Sequence, residues 1–265
     1  MLNYKDQFIF IAGPCVIENK ELTFDIASYL KDVFSKYDVF FVFKASFDKA
    51  NRTSIKSKRG VGLKKGIKIL GEIKKKLNIP VLSDVHCREQ IKFVKDILDI
   101  IQIPAFLSRQ TDLILEAAKT KKIINIKKAQ FMSPYDVKYV IEKIESVGNK
   151  NILITERGTC FGYNNLVVDF RSFLIMKKFG HPVIYDATHS LQRPSALDGV
   201  SGGDREFIIP LACASIPCGV DGIFMEVHPN PEEAISDKET SLPLKYVEVL
   251  VKKVLRIRNS IYEET

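Results

Sequence analysis

The chain repeats one pattern along its length: a short apolar run rich in β-branched residues, a polar loop, and a stretch with helical periodicity. Most of the runs are apolar nearly throughout, which is typical of parallel strands that are covered on both faces. The runs that we predict as strands are Phe8–Ala12, Val39–Ala45, Pro80–Val85, Ile97–Pro104, Ile123–Lys128, Ile152–Arg157, Pro182–Thr188 and Gly222–Val227.

Helical periodicity fills the intervals and is clearest at Leu63–Leu77, Asp112–Ala118, Asp136–Val147 and Arg205–Ile216. After the last strand, an i, i+3, i+4, i+7 stripe predicts a helix that packs on the sheet. The stripe consists of Val247, Leu250, Val251, Val254 and Ile257. Alternating strands and helices form either an open doubly wound sheet or a closed barrel. Eight near-equal units favour an α/β fold, a single-domain (β/α)8 TIM barrel over residues 1–265.

Composition narrows the class of protein and the cellular compartment that we expect for this fold. The 265 residues are 46% hydrophobic, enough for a sizeable core, but no uninterrupted apolar run reaches the ~18–20 residues of a membrane span. The first residues lack the basic and apolar regions of a signal peptide. Because no apolar run is long enough to span a membrane, we expect no membrane partner. The five cysteines are odd in number and contain no CxxC pair, so we expect a reducing cytoplasm.

The formal net charge of +8 leaves three interpretations. Lysines that solvate the surface explain it, and so does an electropositive site that gathers anionic substrates; both can hold together. A nucleic-acid binder is the third, but the basic residues are not gathered into one tail or helical stripe. We therefore expect phosphorylated small molecules as partners and no nucleic acid.

Cationic side chains fall at or just beyond the predicted strand ends, where barrel enzymes place their active sites. Alone, each is most often a solvated surface charge, but together at one mouth they predict a ligand with two or more anionic groups. They are Lys44, Lys49, Arg52, Arg109, Lys127 and Arg157.

A second set has the chemistry of metal ligands. Cys15 follows the first strand, His189 follows the seventh, Glu226 ends the eighth, and Asp237 lies in the loop beyond. Thiolate, imidazole and carboxylate ligands suit Zn²⁺, Fe²⁺ or Mn²⁺, and barrel closure would bring the first strand beside the eighth. The alternatives are a small buried thiol at Cys15 and a hydrogen-bonded rim pair of His189 and Glu226.

The segment Phe43-Lys44-Ala45-Ser46-Phe47-Asp48-Lys49-Ala50-Asn51-Arg52-Thr53-Ser54 resembles the signature of 3-deoxy-D-manno-octulosonate 8-phosphate synthases. The resemblance runs from about Phe8 to Leu250 in the same order. Its other segments include Ile11-Ala12-Gly13-Pro14-Cys15, Asn125-Ile126-Lys127-Lys128-Ala129-Gln130-Phe131 and Asp186-Ala187-Thr188-His189-Ser190. Lys49-Ala50-Asn51-Arg52 is the most specific element, because synthases that use erythrose 4-phosphate typically carry Lys-Pro-Arg-Thr there.

The resemblance implies condensation of phosphoenolpyruvate with D-arabinose 5-phosphate and water, for lipopolysaccharide precursor synthesis. It implies a homotetramer in which Phe106 and Arg109 reach a neighbouring subunit's site, and catalytic roles for Lys127, His189 and Cys15. The implied phosphoenolpyruvate contacts are Lys44, Lys49, Gln102, Lys127 and Arg157. The implied aldose phosphate contacts are Asn51, Arg52 and Thr53, with Asp84 near the sugar hydroxyls.

The same resemblance divides the family by metal use, since metal-independent members carry asparagine where this chain has Cys15. Cys15, His189, Glu226 and Asp237 match the ligand set of the metal-dependent branch, which implies a divalent cofactor: Zn, Fe, Mn or Co. One departure is Lys238, which stands where the family usually has glycine after the aspartate.

Three competing functions remain at the level of sequence. A synthase of the same chemistry could use erythrose 4-phosphate or an N-acetylated sugar, although Asn51 in place of proline disfavours the first. A nucleic-acid binder would show no turnover and a steep salt dependence of binding. A catalytically inactive scaffold is disfavoured by the intact set of polar strand ends.

Overall fold

The apolar runs of the sequence form parallel strands that lie beside one another in the order of the chain. The computed structural model describes residues 6–197 and 200–262. In chain order the strands of this part are β1 (Phe8–Gly13), β2 (Val39–Lys44), β3 (Val81–Asp84), β4 (Ile100–Ile103), β5 (Ile123–Lys127), β6 (Ile152–Glu156), β7 (Thr159–Cys160), β8 (Leu166–Val167), β9 (Val183–Asp186), β10 (Gln192–Leu197), β11 (Val200–Gly203), β12 (Gly222–His228) and β13 (Leu242–Pro243).

Eight of these described strands close into one parallel barrel. Strands β1 to β6 pair in sequence order, β6 pairs with β9, and β9 pairs with β12. Strand β12 then pairs with β1, which sets Glu226 opposite Gly13. The predicted (β/α)8 barrel is therefore confirmed, and the first and eighth barrel strands are neighbours.

Along each strand, successive residues face alternately the inside of the barrel and the surrounding helices. Ile9 and Ile11 of β1 belong to a small apolar cluster, while Phe8 and Phe10 belong to the larger core. The small cluster fills the barrel, since it takes its members from all eight strands: Ile9, Ile11, Phe40, Val42, Leu82, Ile100, Ile123, Leu153, Ile184 and Phe224. Apolar residues at both alternations explain why the runs lack a polar face.

The helices of the described residues are α1 (Lys20–Phe34), α2 (Leu63–Leu77), α3 (Arg88–Val94), α4 (Thr111–Lys119), α5 (Val137–Glu145), α6 (Arg171–Lys177), α7 (Ile208–Ser215) and α8 (Val247–Tyr262). Helix α2 has the predicted bounds. The helix predicted at Arg205–Ile216 begins as a 3₁₀ turn, Arg205–Phe207, before α7. Pro210 lies in the first turn of α7, where a missing N–H breaks no helical hydrogen bond.

Helix α8 buries the predicted stripe. Val247, Leu250, Val251 and Val254 are fully buried, and Ile257 packs partly against the core. No helix in residues 6–197 and 200–262 is both long enough and apolar enough to cross a membrane.

Two antiparallel hairpins interrupt the regular alternation of strands and helices. Strand β7 pairs with β8 after β6, and β10 pairs with β11 after β9. The sixth barrel strand ends at Glu156, so Arg157 lies in the loop that leads to the first hairpin. Both hairpins follow carboxyl ends of barrel strands and therefore stand at the mouth.

Gly13 allows a close approach between the ends of β1 and β2. A Cβ atom on Gly13 would lie 1.9 Å from the Lys44 carbonyl oxygen, a distance that real Cβ atoms do not show. Beyond this contact, Val16 forms a parallel bridge with Ser46, and Lys44 Nζ donates to the Cys15 carbonyl oxygen at 2.9 Å. Gly13 therefore fixes where Cys15 enters the mouth.

We expect Gly13→Ala to lower the free energy of unfolding by about 1–3 kcal/mol, because the backbone of one strand must move. Urea unfolding followed by circular dichroism measures the change. Gly71→Ala is the control: it lies in α2, and its Cβ would meet Ile97 at an ordinary 3.5 Å. That change should raise stability by about 0.5–1 kcal/mol. Equal unfolding midpoints for the two variants would contradict the prediction.

Candidate active site

The carboxyl ends of the barrel strands surround a cavity of about 330 Å³. The parallel strands all end at the same side of the barrel, so the polar side chains at their carboxyl ends meet here. Ten of the residues singled out from the sequence line it: Lys44, Lys49, Asn51, Asp84, Gln102, Phe106, Lys127, Arg157, His189 and Glu226. A ligand in this cavity would meet cations, carboxylates and amides at once.

Two lysines stand at the floor of the cavity, and both are buried. Lys44 Nζ donates to Glu226 Oε1 at 2.5 Å, and Lys127 Nζ pairs with Asp186 Oδ2. Lys127 Nζ also lies 3.4 Å from the centre of the Phe224 ring. Burial lowers the pKa of the Lys127 ammonium to about 8, against the opposing effect of the Asp186 carboxylate. These lysines present positive charge where water is largely excluded.

Arg157 enters the cavity from the loop after β6 and is also buried. Its Nη2 donates to Gln192 Oε1 at 2.6 Å, whereas its buried Nη1 has no hydrogen-bond partner. A buried guanidinium nitrogen without a partner favours an anionic ligand. The geometry therefore fits the predicted anion site at Lys44, Lys127 and Arg157.

The ends of β1 and β12 and the loop beyond β12 bring three predicted metal ligands together. Cys15, Glu226 and Asp237 offer ligand atoms within 4.8 Å of one another. Cys15 Sγ lies 2.9 Å from both Ser236 Oγ and Asp237 Oδ2. Burial, and then the carboxylates of Asp237 and Glu226, raise the pKa of the Cys15 thiol well above its usual value. A thiol crowded by two carboxylates is a donor set that fits a divalent cation.

His189, the fourth predicted ligand, lies beside this group. Its Nε2 is 3.4 Å from Glu226 Oε1, and its Nδ1 is 2.8 Å from Asp186 Oδ2. Asp186 also accepts from the backbone N–H of His189 at 2.8 Å. The carboxylate thus lies against one ring nitrogen, and the other ring nitrogen faces Glu226. A carboxylate beside the ring is common around metal-bound histidine.

Asp186 is a candidate site residue that the sequence analysis quoted within a segment of the family resemblance but gave no role. It is fully buried at the end of β9 and contacts Lys127, Thr188 and His189. Burial alone would raise its pKa, but His189 and Lys127 hold the pKa well below its usual value. The available signal was an aspartate at a strand end, three residues before a histidine.

Gln192 and Ser236 were also missed, and here the sequence held no signal. Gln192, at the start of β10, accepts from Arg157 and donates from Nε2 to Asp237 Oδ1 at 2.9 Å. The amide therefore bridges the anion site and the candidate metal group. Only the fold of the β10–β11 hairpin brings it to them, because Gln192 is 35 and 45 residues away from these partners.

The loop that carries Asp237 accommodates Lys238 in helical backbone. Asp237 itself adopts the left-handed conformation, with φ of 49°, and a 3₁₀ helix then runs through Lys238–Thr240. A lysine can occupy that helix without strain, so glycine is not needed at this position.

The predicted aldose contacts lie farther out. Arg52, Thr53 and Asp237 line a second cavity of about 400 Å³, which shares Lys49, Asn51, Phe106, Arg157 and His189 with the first. Arg52 is tied to the backbone, since Nε donates to Lys58 O at 3.1 Å. Arg52 lines the second cavity and not the first, whereas Lys44 lines the first and not the second.

Asp84 anchors a small polar cluster on the β3 side. It accepts from Ser46 Oγ and lies 2.9 Å from His86 Nε2. Phe106 is 56% exposed at the mouth. Arg109 is exposed and lines neither cavity, so the structure does not bring it to this chain's own site.

Comparison with known proteins agrees with this geometry. Residues 3–261 match the model of the DAHP synthetase I family. A 2-dehydro-3-deoxyphosphooctonate aldolase of Desulfatibacillum aliphaticivorans is 53% identical over 252 residues, which is 95% of this chain and 92% of that protein. A protein of the same name from Fusobacterium nucleatum subsp. nucleatum is 52% identical over 253 residues, 96% of this chain and 91% of that protein.

Proposed function

The chain belongs to the DAHP synthetase I family, among enzymes of the 2-dehydro-3-deoxyphosphooctonate aldolase type, and from that premise we propose its substrates. It condenses phosphoenolpyruvate with D-arabinose 5-phosphate and water, and it releases 3-deoxy-D-manno-octulosonate 8-phosphate and inorganic phosphate. The product class is a precursor of lipopolysaccharide. The observation that carries the proposal is a pair of cavities with shared lining: Lys44 and Lys127 line the first, Arg52 lines the second, and Arg157 lines both.

Two phosphorylated substrates need two anion sites, separated by the reacting carbons. Lys44, Lys127 and Arg157 support phosphoenolpyruvate at the floor, together with Lys49 and the Gln102 amide. Asn51, Arg52 and Thr53 support the aldose phosphate at the outer end. Asp84 lines the first cavity, and its carboxylate suits a sugar hydroxyl donor. Both substrates would lie in one continuous space with their reactive carbons facing each other.

The proposed reaction requires a site that stabilises negative charge. The methylene carbon of phosphoenolpyruvate attacks the aldehyde carbon of the aldose while water adds to C2, and the resulting hemiketal phosphate loses inorganic phosphate. Lys127 and Arg157 stabilise the anionic groups in a buried setting, where fixed charges act strongly. The Asp186 carboxylate beside Lys127 Nζ favours its ammonium form. His189 contacts Asp186 through Nδ1, and its Nε2 faces Glu226, which is grouped with Cys15.

We further propose that Cys15, His189, Glu226 and Asp237 hold a divalent cation: Zn, Fe, Mn or Co. The support is the buried thiol between two carboxylates and the oriented imidazole. When bound, such a cation can polarise the aldehyde or position and acidify water.

Chelation followed by dialysis should abolish turnover, and Zn²⁺, Mn²⁺, Fe²⁺ or Co²⁺ should restore it. His189→Ala should lose both metal and turnover, and Cys15→Asn should bind metal at least about tenfold more weakly. Elemental analysis gives the metal per chain independently of activity. Cys87→Ser removes an exposed thiol and is the matched control, with metal content unchanged. A Cys15→Asn variant that retains full metal content would reduce Cys15 to a packing residue.

The proposal extends to assembly and location. We propose a homotetramer in the cytoplasm, in which Phe106 and Arg109 face a neighbouring subunit's site, and one catalytic domain over residues 1–265. Their exposure supports it: Phe106 is 56% exposed at the mouth, and Arg109 is exposed and lines neither of the two cavities. Other exposed aromatic residues follow β5 and β6 at the mouth: Phe131, Tyr135, Phe161 and Tyr163. No nucleic acid and no membrane is proposed as a partner.

Substrate choice tests the function most directly. We expect kcat/KM for D-arabinose 5-phosphate to exceed that for erythrose 4-phosphate by more than about tenfold, or ~1.4 kcal/mol of transition-state discrimination. The assay measures phosphate released from phosphoenolpyruvate with each aldose in parallel. Equal rates would rule out the proposed aldose specificity, and no release with either would rule out the proposed reaction.

Arg52→Ala should raise the KM for the aldose far more than the KM for phosphoenolpyruvate. A lost charge-assisted bond to phosphate costs ~1.5–3 kcal/mol, or roughly 10- to 100-fold. Arg59→Ala is the control, because Arg59 is exposed, pairs with Asp48 at 2.6 Å and lines neither cavity. If Arg52→Ala and Arg59→Ala behave alike, Arg52 is a solvated surface charge.

A further inference from the structure

Three polar side chains replace the apolar filling of the barrel just below the cavity. Gln102, Asn125 and Thr155 lie on β4, β5 and β6, each two residues beyond a member of the apolar barrel cluster. Asn125 and Thr155 are 0% exposed, and Gln102 is 5% exposed. Buried amides and hydroxyls are unfavourable unless they are hydrogen-bonded, and apolar side chains would fill this layer more simply. The polar layer therefore costs stability relative to an apolar layer, and a functional role would explain why it is present.

The hydrogen bonds in this layer run in one direction. Thr155 Oγ donates to Asn125 Oδ1 at 2.7 Å, and Asn125 Nδ2 donates to Gln102 Oε1 at 3.0 Å. Because Oε1 faces Asn125, the NH₂ group of Gln102 is left for the cavity, which Gln102 lines. The reversed chain would turn the Gln102 oxygen to the cavity and leave the buried Thr155 hydroxyl hydrogen without its acceptor. The threonine hydroxyl thus decides the orientation of both amides.

We propose that Asn125 and Thr155 are positioning residues that hold Gln102 with its NH₂ group toward the anionic end of phosphoenolpyruvate. The inference rests on the proposed function. Phosphoenolpyruvate offers only acceptors in its ionised form, so an amide NH₂ binds it and an amide oxygen repels it. Lys44, Lys127 and Arg157 line the same cavity, and their positive charges would attract the amide oxygen of Gln102 rather than its NH₂ group. Thr155 offsets that preference before the substrate arrives.

The test is calorimetric titration of phosphoenolpyruvate without aldose, together with steady-state kinetics. Thr155→Val has nearly the same shape but no hydroxyl. It should weaken phosphoenolpyruvate binding about five- to tenfold, since only a fraction of molecules keeps the competent orientation. The KM for the aldose should change much less. Thr155→Ser keeps the hydroxyl and should restore wild-type affinity. Thr23→Val removes a buried hydroxyl from α1, far from the cavity, and should leave the affinity unchanged.

A double-mutant cycle separates positioning from general destabilisation. Gln102→Ala removes the group that Thr155 orients, and it should weaken phosphoenolpyruvate binding about 10- to 100-fold. In that background Thr155→Val should cost nothing further, because its effect passes through Gln102. Equal costs of Thr155→Val with and without Gln102 would overturn the proposal, and so would wild-type affinity in Thr155→Val itself. If Thr155→Val does not fold, reduced affinity in Thr155→Ser beyond twofold contradicts the proposal, and retained affinity supports it.

The two proposals fail differently. A wild-type enzyme that binds phosphoenolpyruvate but releases no phosphate with any aldose contradicts the proposed reaction, while the binding cycle still decides the role of Thr155. A wild-type enzyme that turns over arabinose 5-phosphate, with additive effects in the cycle, contradicts only the positioning role.

Discussion

The parallel pairing of β1 with β12 is the constraint on which the rest of the structure depends. It closes the barrel and places Gly13 opposite Glu226, so that Cys15 and Glu226 enter the mouth side by side. Asp237 joins them from the loop after β12. An open sheet with this strand order would leave the first and last strands at opposite edges, and Cys15 and Glu226 could not share a ligand. Closure therefore creates the candidate metal group as well as the cavity.

The mouth balances buried charges of both signs. Lys44 pairs with Glu226, Lys127 pairs with Asp186, and Asp186 also holds His189. Buried ion pairs are expensive to desolvate, and hydrophobic residues of similar volume often give equal or greater stability. Their concentration at one end of the barrel is consistent with function, because preorganised charges in a dry site act strongly on reacting groups. Asp186 links the two parts of the mouth, since its carboxylate contacts both Lys127 and His189, which lies beside the candidate metal group.

Much of the architecture could be predicted from local pattern. The eight apolar runs are the eight barrel strands, with ends shifted by a few residues, and α2 has its predicted bounds. The ends of the strands were harder to predict. The predicted seventh strand covers seven residues, Pro182–Thr188, whereas the observed strand covers four, Val183–Asp186. The reason is that apolar residues continue beyond the last ladder hydrogen bond. The hairpins β7–β8 and β10–β11 have short or irregular pairing and leave little periodic signal.

The sequence by itself determined the barrel class, the cations at its strand ends and the type of chemistry, because each depends on residue types near one another in the chain. Tertiary structure alone decided which of those side chains meet. It joined Cys15 to Asp237, placed Gln192 between Arg157 and Asp237, and left Arg109 outside the cavities. It also aligned Thr155, Asn125 and Gln102 into one directed chain of hydrogen bonds. Such contacts depend on strand register and loop path, which no local pattern of hydrophobic and polar residues specifies.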